Sequence, residues 1–293
     1  MIRIFLQLLF FACFVTCANN AFGQYYFYND KYYDNDLVFE LGGSIGVMNS
    51  ITDLGGQSSN KKIYFNEINW QNKKTALGFY VGAMFQHVVG VRLEATYGSI
   101  KGNDSLLPNT SSRRARNLSF RSDLTEFALI AEFYPLNLSN GEQPHMLSPY
   151  IMAGVGWFSF NPQGNLDGKW VDLKPLHTEG QGFKEYPDRT PYRLSQANIS
   201  AGVGIRYDIN GSFNFRLEWL HRFLFTDYLD DASTQYINPA LFSTYLSPTL
   251  AQQAILLHKR TPVHTTTRGN PKNNDSYFTI NFKLGMTLGR TRR

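Results

Sequence analysis

Eight segments of the chain alternate large apolar side chains with small or polar ones, residue by residue, and their charges all fall on the polar face. From Val38 to Met48, Phe39, Leu41, Gly43, Ile45 and Val47 share one face, while Glu40, Gly42, Ser44 and Gly46 share the other. The same split runs through Ala76 to His87 (Leu77, Phe79, Val81, Ala83, Phe85), through Val89 to Ser99 (Val89, Val91, Leu93, Ala95, Tyr97), and through a fourth segment marked by Phe127, Leu129, Ala131 and Phe133. It returns in Ala197, Ile199, Ala201, Val203 and Ile205, then in Phe213, Phe215, Leu217 and Trp219, and last in Phe278, Ile280, Phe282, Leu284, Met286 and Leu288. A fifth segment, Tyr150 to Phe160, is apolar on both faces, so its orientation stays open. A period of two belongs to a β-strand, and about ten residues is the length of a tilted strand that crosses a membrane.

Glu40, Arg92, Glu94, Glu126, Glu132, Arg206, Arg216, Glu218, Arg222 and Lys283 all sit opposite the apolar face. An Arg or Lys facing lipid costs roughly 2 to 4 kcal/mol at the bilayer midplane, so a lipid-exposed wall would produce this segregation. A soluble β-sandwich would instead turn its charges outward around an apolar core. The alternation alone does not say which face is inside, and composition helps decide. Only 17% of the 293 residues are charged and 15% are aromatic, where soluble domains carry roughly 25% charged residues. Mean hydropathy is −0.30, and no apolar run approaches the roughly 20 residues of a membrane helix. An apolar surface spread over alternate residues fits a transmembrane β-barrel.

Residues 1–23 read as a secretory signal peptide. Arg3 supplies the positive start, Ile4 to Cys17 the apolar stretch, and Ala21-Phe22-Gly23 a small-x-small cleavage site. Residues 24–293 then form the barrel domain. Both cysteines, Cys13 and Cys17, fall in the leader, so the mature chain is expected to have neither disulfides nor Cys metal sites. Its net charge is a mild +4, partly from Arg290, Arg292 and Arg293 at the end, and no nucleic-acid motif accompanies it.

Connection lengths alternate strictly. Gln86 to Val89, Pro135 to Ser148 and Asp208 to Ser212, which carries an Asn-Gly hairpin signal, are short or moderate. Asn49 to Thr75, Lys101 to Ser119, Asn161 to Arg193 and Thr226 to Asp275 are long. Bacterial barrels have short periplasmic turns and long extracellular loops, so both chain ends are expected in the periplasm. The fold class is therefore all-β: an eight-stranded antiparallel transmembrane β-barrel with four long extracellular loops, placed in the outer membrane with lipid around it.

An eight-stranded barrel is just wide enough for its side chains to fill. Five acids and five bases inside it are expected to form a salt-bridged plug; acid/base work by Glu126 and Glu132 is the competing reading, weakened by the bases available to pair them. In the loops, Ser247-Pro248 followed by Leu250, Ala254 and Leu257 predicts a helix from about Pro248 to Lys259, packed on neighbouring loops. Asp227, Asp230 and Asp231 lack the alternating ligands of an EF-hand loop and read as a solvated or capping acidic turn. His177, His258 and His264 show no paired metal-ligand spacing. An outer-membrane enzyme would need a cluster at the barrel mouth, for which Asp227, Asp230, His221 and His177 are the only loose candidates. The expectation is a chain without catalytic residues, cofactor-binding residues or metal ligands, and with no nucleic-acid partner.

Several blocks resemble a known family: ELGGSIGVMNSITDLGG at the first strand, RNLSFRSDLTEFALIAEFYPLN around the fourth, SPYIMAGVGWFSFNPQ in the fifth, WVDLKPLHTEGQG in the third long loop, HRFLFTDYLDDASTQYINP after the seventh strand and RGNPKNNDSYF entering the eighth. These are similar to PorG-type outer-membrane proteins of Bacteroidetes. The resemblance implies an eight-stranded barrel and, for the namesake member, a place in the type IX secretion system beside a periplasmic ring formed by a lipoprotein and its partner. The expected role is an anchor or scaffold for protein secretion. The alternative is a general structural or adhesive barrel working through its extracellular loops.

Overall fold

A computed structural model describes residues 37–55, 70–107, 114–138, 146–258 and 267–288. Residues 1–23, expected to be a leader, and Arg290, Arg292 and Arg293 lie outside the described residues. The strands are β1 (Leu37–Ile51), β2 (Lys74–Phe85), β3 (Val89–Asn103), β4 (Ser119–Phe133), β5 (Leu147–Leu166), β6 (Lys169–Asp172), β7 (Ser195–Asp208), β8 (Phe213–Leu224) and β9 (Ser276–Leu288). Eight of them close a ring. The antiparallel ladder runs β4-β3-β2-β1-β9-β8-β7-β5, and β5 pairs back onto β4. Closure leaves no barrel strand with an open edge, the condition for crossing lipid with strands. β6 stands outside the ring and pairs only with the far end of β5.

The inward face is the charged one. Each of the ten segregated charges is at most 5% exposed, whereas Leu93, Phe127 and Phe282 on the other face are 60% or more exposed. The ambiguous fifth strand takes its orientation from its neighbours. Trp157 lies in register with Phe127 and Ala197, and Val155 with Leu129 and Ile199, so both face outward, while Tyr150, Met152, Phe158 and Phe160 are buried inside. Inner glycines make room for the tyrosines that cross the bore. A Cβ on Gly42 would stand 2.6 Å from the Tyr80 ring, and one on Gly204 2.5 Å from that of Tyr150.

One end of the barrel carries the short turns. β2 and β3 are joined through Gln86 and His87, both left-handed at φ 49° and 57°. Between β7 and β8 the Asn210 carboxamide oxygen accepts from the Ser212 and Phe213 amides, each at 2.9 Å. After β4, a 3-10 turn spans Pro135–Leu138; residues 139–145 of that connection are outside the described set.

At the other end the strands overshoot the band that the alternation marks. β3 continues to Asn103 and β5 to Leu166, so the long connections begin later than expected. β5 folds back through Asp167 and Gly168, at φ 49° and 86°, the left-handed pair favoured in two-residue hairpins. Above the membrane neither face meets lipid, so the apolar alternation that marks a spanning strand fades there. The loop helix occupies Pro248–His258, close to the expected span, and a second, Ala240–Tyr245, precedes it. Tyr207, Phe213 and Trp157 are exposed on the outer wall; Phe278, on the apolar face of its strand, is instead buried, with Trp70 edge-on at 6.1 Å and Ile51 against it.

Val203, 52% exposed on β7, faces lipid. Val203→Arg should lower unfolding stability in lipid vesicles by about 2 to 4 kcal/mol, with Val203→Leu near the parent; equal stability of the two variants in a denaturant titration would reverse the assignment of faces.

Candidate functional site

The alternation that turns charges inward brings eight of the ten into one continuous chain along the bore. Arg206 donates to Glu40 at 2.8 Å, and Arg216 bridges Glu40 at 2.6 Å and both oxygens of Glu132 at 2.9 Å. Arg92 then links Glu132 to Glu218, which it grips with both Nη atoms at 2.8 and 2.7 Å, and to Glu94 through Nε at 3.0 Å. Lys283 closes the chain, 2.5 Å from Glu94 and 3.0 Å from Glu218. Arg222 and Glu126 form a separate pair at 2.9 Å, nearer the loops.

Tyrosines on the same face complete the coordination. Tyr80 donates to Glu40 and Tyr150 to Glu218, each at 2.5 Å, and Tyr134 to Glu132 at 2.7 Å. Arg216 and Lys283 also lie 5.4 and 5.2 Å from the Tyr80 ring centre, where a cation is attracted to the ring face. Five acids meet five bases, so the bore is electrically balanced. Taking each charge out of water is costly, and only pairing with full hydrogen bonding offsets it. A void among Glu40, Tyr80, Arg92, Glu132 and Arg216 measures about 10 Å³, at the lower limit for a single water. The geometry is that of a plug. Glu126 and Glu132 are held by different bases and do not form a carboxylate pair.

The long loops close over the mouth as a folded cap. Asp104, after β3, accepts from the Gly55 amide at 3.1 Å, the Leu118 amide at 3.2 Å, and Arg116 at 2.7 and 2.9 Å. Asp230 reaches the Leu54 amide at 2.8 Å and the Ala232 amide at 3.0 Å. Arg268 donates to Thr178 at 2.8 Å and to Glu179 and Asp231 at 3.2 Å, while Tyr192 donates to Asp231 at 2.8 Å. Residues from all four loops are thus tied by buried charge-assisted bonds. Around them lies an apolar core that includes Leu54, Phe183, Leu229, Ile237, Phe242 and Leu257, with Phe183 stacked on Tyr245 at 4.2 Å.

The acidic turn corrects the sequence reading in part. Asp230 and Asp231 are fully buried and Asp227 nearly so; the turn caps amides, as one alternative had it, and is not solvated. Asp231 is also left-handed, at φ 63°. Burial holds its carboxyl above the ordinary value of 3.8, against the opposing pull of Arg268. Burial and the adjacent Asp231 likewise push the Tyr192 hydroxyl up.

The loose catalytic candidates do not converge. His221 falls in the outward register of β8 yet is buried, with the Trp219 and Phe223 rings at 6.1 and 4.6 Å. His177 sits in the third loop with Nδ1 2.5 Å from the Gln181 carbonyl, and Asp230 is engaged by the amides described above. Among the described residues no three His, Cys, Asp or Glu side chains are placed to hold a metal ion. Sequence reasoning passed over Asp104, Arg116, Glu179 and Arg268, because partners up to 152 positions apart in the chain leave no local spacing to read. Asp167-Gly168 did carry a readable hairpin signal inside the third loop.

Residues 22–239 match the family described as outer membrane protein beta-barrel domain. The chain belongs to that family. Its location is the outer membrane, in keeping with the lipid-facing wall and the plugged bore. Among solved structures, it is similar to the outer membrane protein OprG from Pseudomonas aeruginosa, at 12% identity and a TM-score of 0.40, covering 86% of this chain and 96% of that one. Neisserial surface protein A matches at 8% identity and a TM-score of 0.37, covering 87% and 98%. A major outer membrane protein from Thermus thermophilus matches at 11% and 0.37, covering 87% and 100%. No curated protein matches the chain.

Two outcomes follow from this geometry. Arg92→Met leaves Glu132 only Arg216, and Glu94 and Glu218 only Lys283 between them; the uncompensated buried charge should cost about 3 to 5 kcal/mol in denaturant unfolding, and a loss under about 1 kcal/mol, the scale of an exposed pair, would mean that water reaches the bore. Because the folded state binds the Asp231 proton more tightly than the unfolded chain, this group's contribution to cap stability is full below pH 3.8 and is lost as pH rises through its raised value. Asp231→Asn should flatten that component in limited proteolysis of the cap across pH 3.5 to 7.

Proposed function

We propose that this chain is a non-catalytic outer-membrane anchor or scaffold of a type IX protein secretion system, contacting a periplasmic ring complex through its short-turn end. The carrying observation is the balanced, side-chain-filled bore, which suits a support better than a conduit and leaves the work to the two ends. The resemblance to PorG-type proteins supplies the choice of system.

At the turn end, the connection after β4 is braced on its neighbour. The Tyr134 amide donates to the Val88 carbonyl at 2.9 Å, Asn137 Nδ2 to the His87 carbonyl at 2.7 Å, and Ser148 Oγ to Asn137 Oδ1 at 3.3 Å. On this base Leu136, Leu138 and Met146 are each about half exposed. Apolar side chains held on a rigid turn suit a protein contact, since little order has to be gained on binding. The partners of this reading are the ring lipoprotein and its companion.

A second reading rests on the cap. Its buried charges and apolar core give the extracellular end a fixed surface, as a structural or adhesive barrel would need. Deleting the gene separates the two. The scaffold reading expects exported cargo to be lost from the culture supernatant, and Leu136→Asp/Leu138→Asp to abolish recovery of the ring proteins in a membrane pull-down while the barrel stays folded. Intact secretion together with altered surface binding would favour the cap.

A further inference from the structure

One side of the outer wall carries both halves of a lipid site. A groove of about 600 Å³ lies in the lipid-facing surface of β2, β3, β4 and β5, lined by Phe79, Leu93, Ala95, Phe127, Val155 and Trp157. It exists because Ala95 stands between the larger Phe79 and Phe127 in one cross-strand row.

Six residues above Phe127 on the same face of β4 is Arg121, about 20 Å along the strand and, at a tilt near 45°, about 14 Å higher. Arg121 is oriented. Its Nε donates to Gln163 at 2.9 Å and its guanidinium lies 4.6 Å from the Trp170 ring centre, leaving the two terminal nitrogens as a fixed fork. Lys101 is its direct cross-strand neighbour on β3. Neither cation makes a salt bridge among the described residues. Two carboxylates lie nearby on exposed positions, Asp123 accepting from Ser99 at 2.8 Å and Asp172 from Asn161 and Gln163 at 3.0 and 2.7 Å, and neither is ion-paired with Arg121 or Lys101.

The opposite wall offers no such pairing. There the outward register above Trp219 holds the buried His221 and the exposed Phe223 and Phe225. A fork of guanidinium donors with a second cation beside it suits a phosphate, and an apolar groove at acyl-chain depth suits a hydrocarbon chain. We infer that this wall binds one phosphorylated, acylated lipid of the outer leaflet, with a chain in the groove at Ala95 and a phosphate on Arg121 and Lys101. This inference is independent of the secretion role.

The test is native mass spectrometry of the full chain in detergent, titrated with bisphosphorylated lipid A, its dephosphorylated form and phosphatidylcholine. One bisphosphorylated lipid A should be retained per chain, about tenfold more tightly than the other two, as a bidentate phosphate contact would give. Arg121→Gln/Lys101→Gln should remove that preference, and Ala95→Phe, which fills the groove on a lipid-exposed position, should weaken binding on its own. Lys101→Arg should bind like the parent. Equal retention of the three lipids, or parental binding by either disruptive variant, overturns the proposal; an effect confined to Arg121→Gln/Lys101→Gln would leave an anion site without a chain and overturns it too. Heat-modifiable gel mobility verifies that each variant is folded.

Discussion

Everything in this molecule depends on the requirement that a backbone in lipid satisfy its own hydrogen bonds. Strands do so only by closing on themselves, and here closure comes from the β4–β5 pairing between the two ends of an otherwise open sheet. Once eight strands are closed, the width of the bore is fixed. That width leaves little room for solvent around the ten inward charges, so they must neutralise one another. The succession from Arg206 through Glu40, Arg216, Glu132, Arg92 and Glu218 to Lys283 and Glu94 is the consequence. The tyrosines complete it by adding donors where the carboxylates still have lone pairs.

The loop end follows a different rule. Outside the lipid, an apolar side chain is stabilised by burial against other loops, and the cap has the construction of a small globular domain. Its buried carboxylates act as anchors for chain segments: Asp104 holds Gly55 and Leu118, Asp230 holds Leu54, and Glu179 holds Ser233 and Thr234. Acids that in isolation suggest solvated turns or a calcium loop are instead the pins that keep four loops together. The barrel thus carries a rigid body at one end and braced short turns at the other, with a filled bore between them. This arrangement suits a support better than a conduit, which is the basis of the proposed role.

Much of the fold is legible in local sequence, for a physical reason. Lipid penalises every outward charge individually, so the alternation in a segment such as Val89 to Ser99 reports its environment without any knowledge of partners. The same logic fails where the environment changes. Above the membrane the continuation of β5 to Leu166 and the β6 hairpin lose their lipid face and with it their signature. Phe278 reads as a lipid-facing residue in the alternation of its own strand, yet Ile51 and Trp70 from elsewhere in the chain cover it.

The sequence by itself determined the strand count, the inward direction of the ten charges, the alternation of short and long connections and the helix near Pro248, because each is enforced position by position by lipid, water or backbone geometry. Only the tertiary structure decided which acid meets which base, which way the doubly apolar β5 faces, and that Asp104, Arg116, Glu179, Asp231 and Arg268 join the loops into one cap. Those are choices among partners of equal chemistry, and they are settled by register and by the distance between strands once the ring has closed.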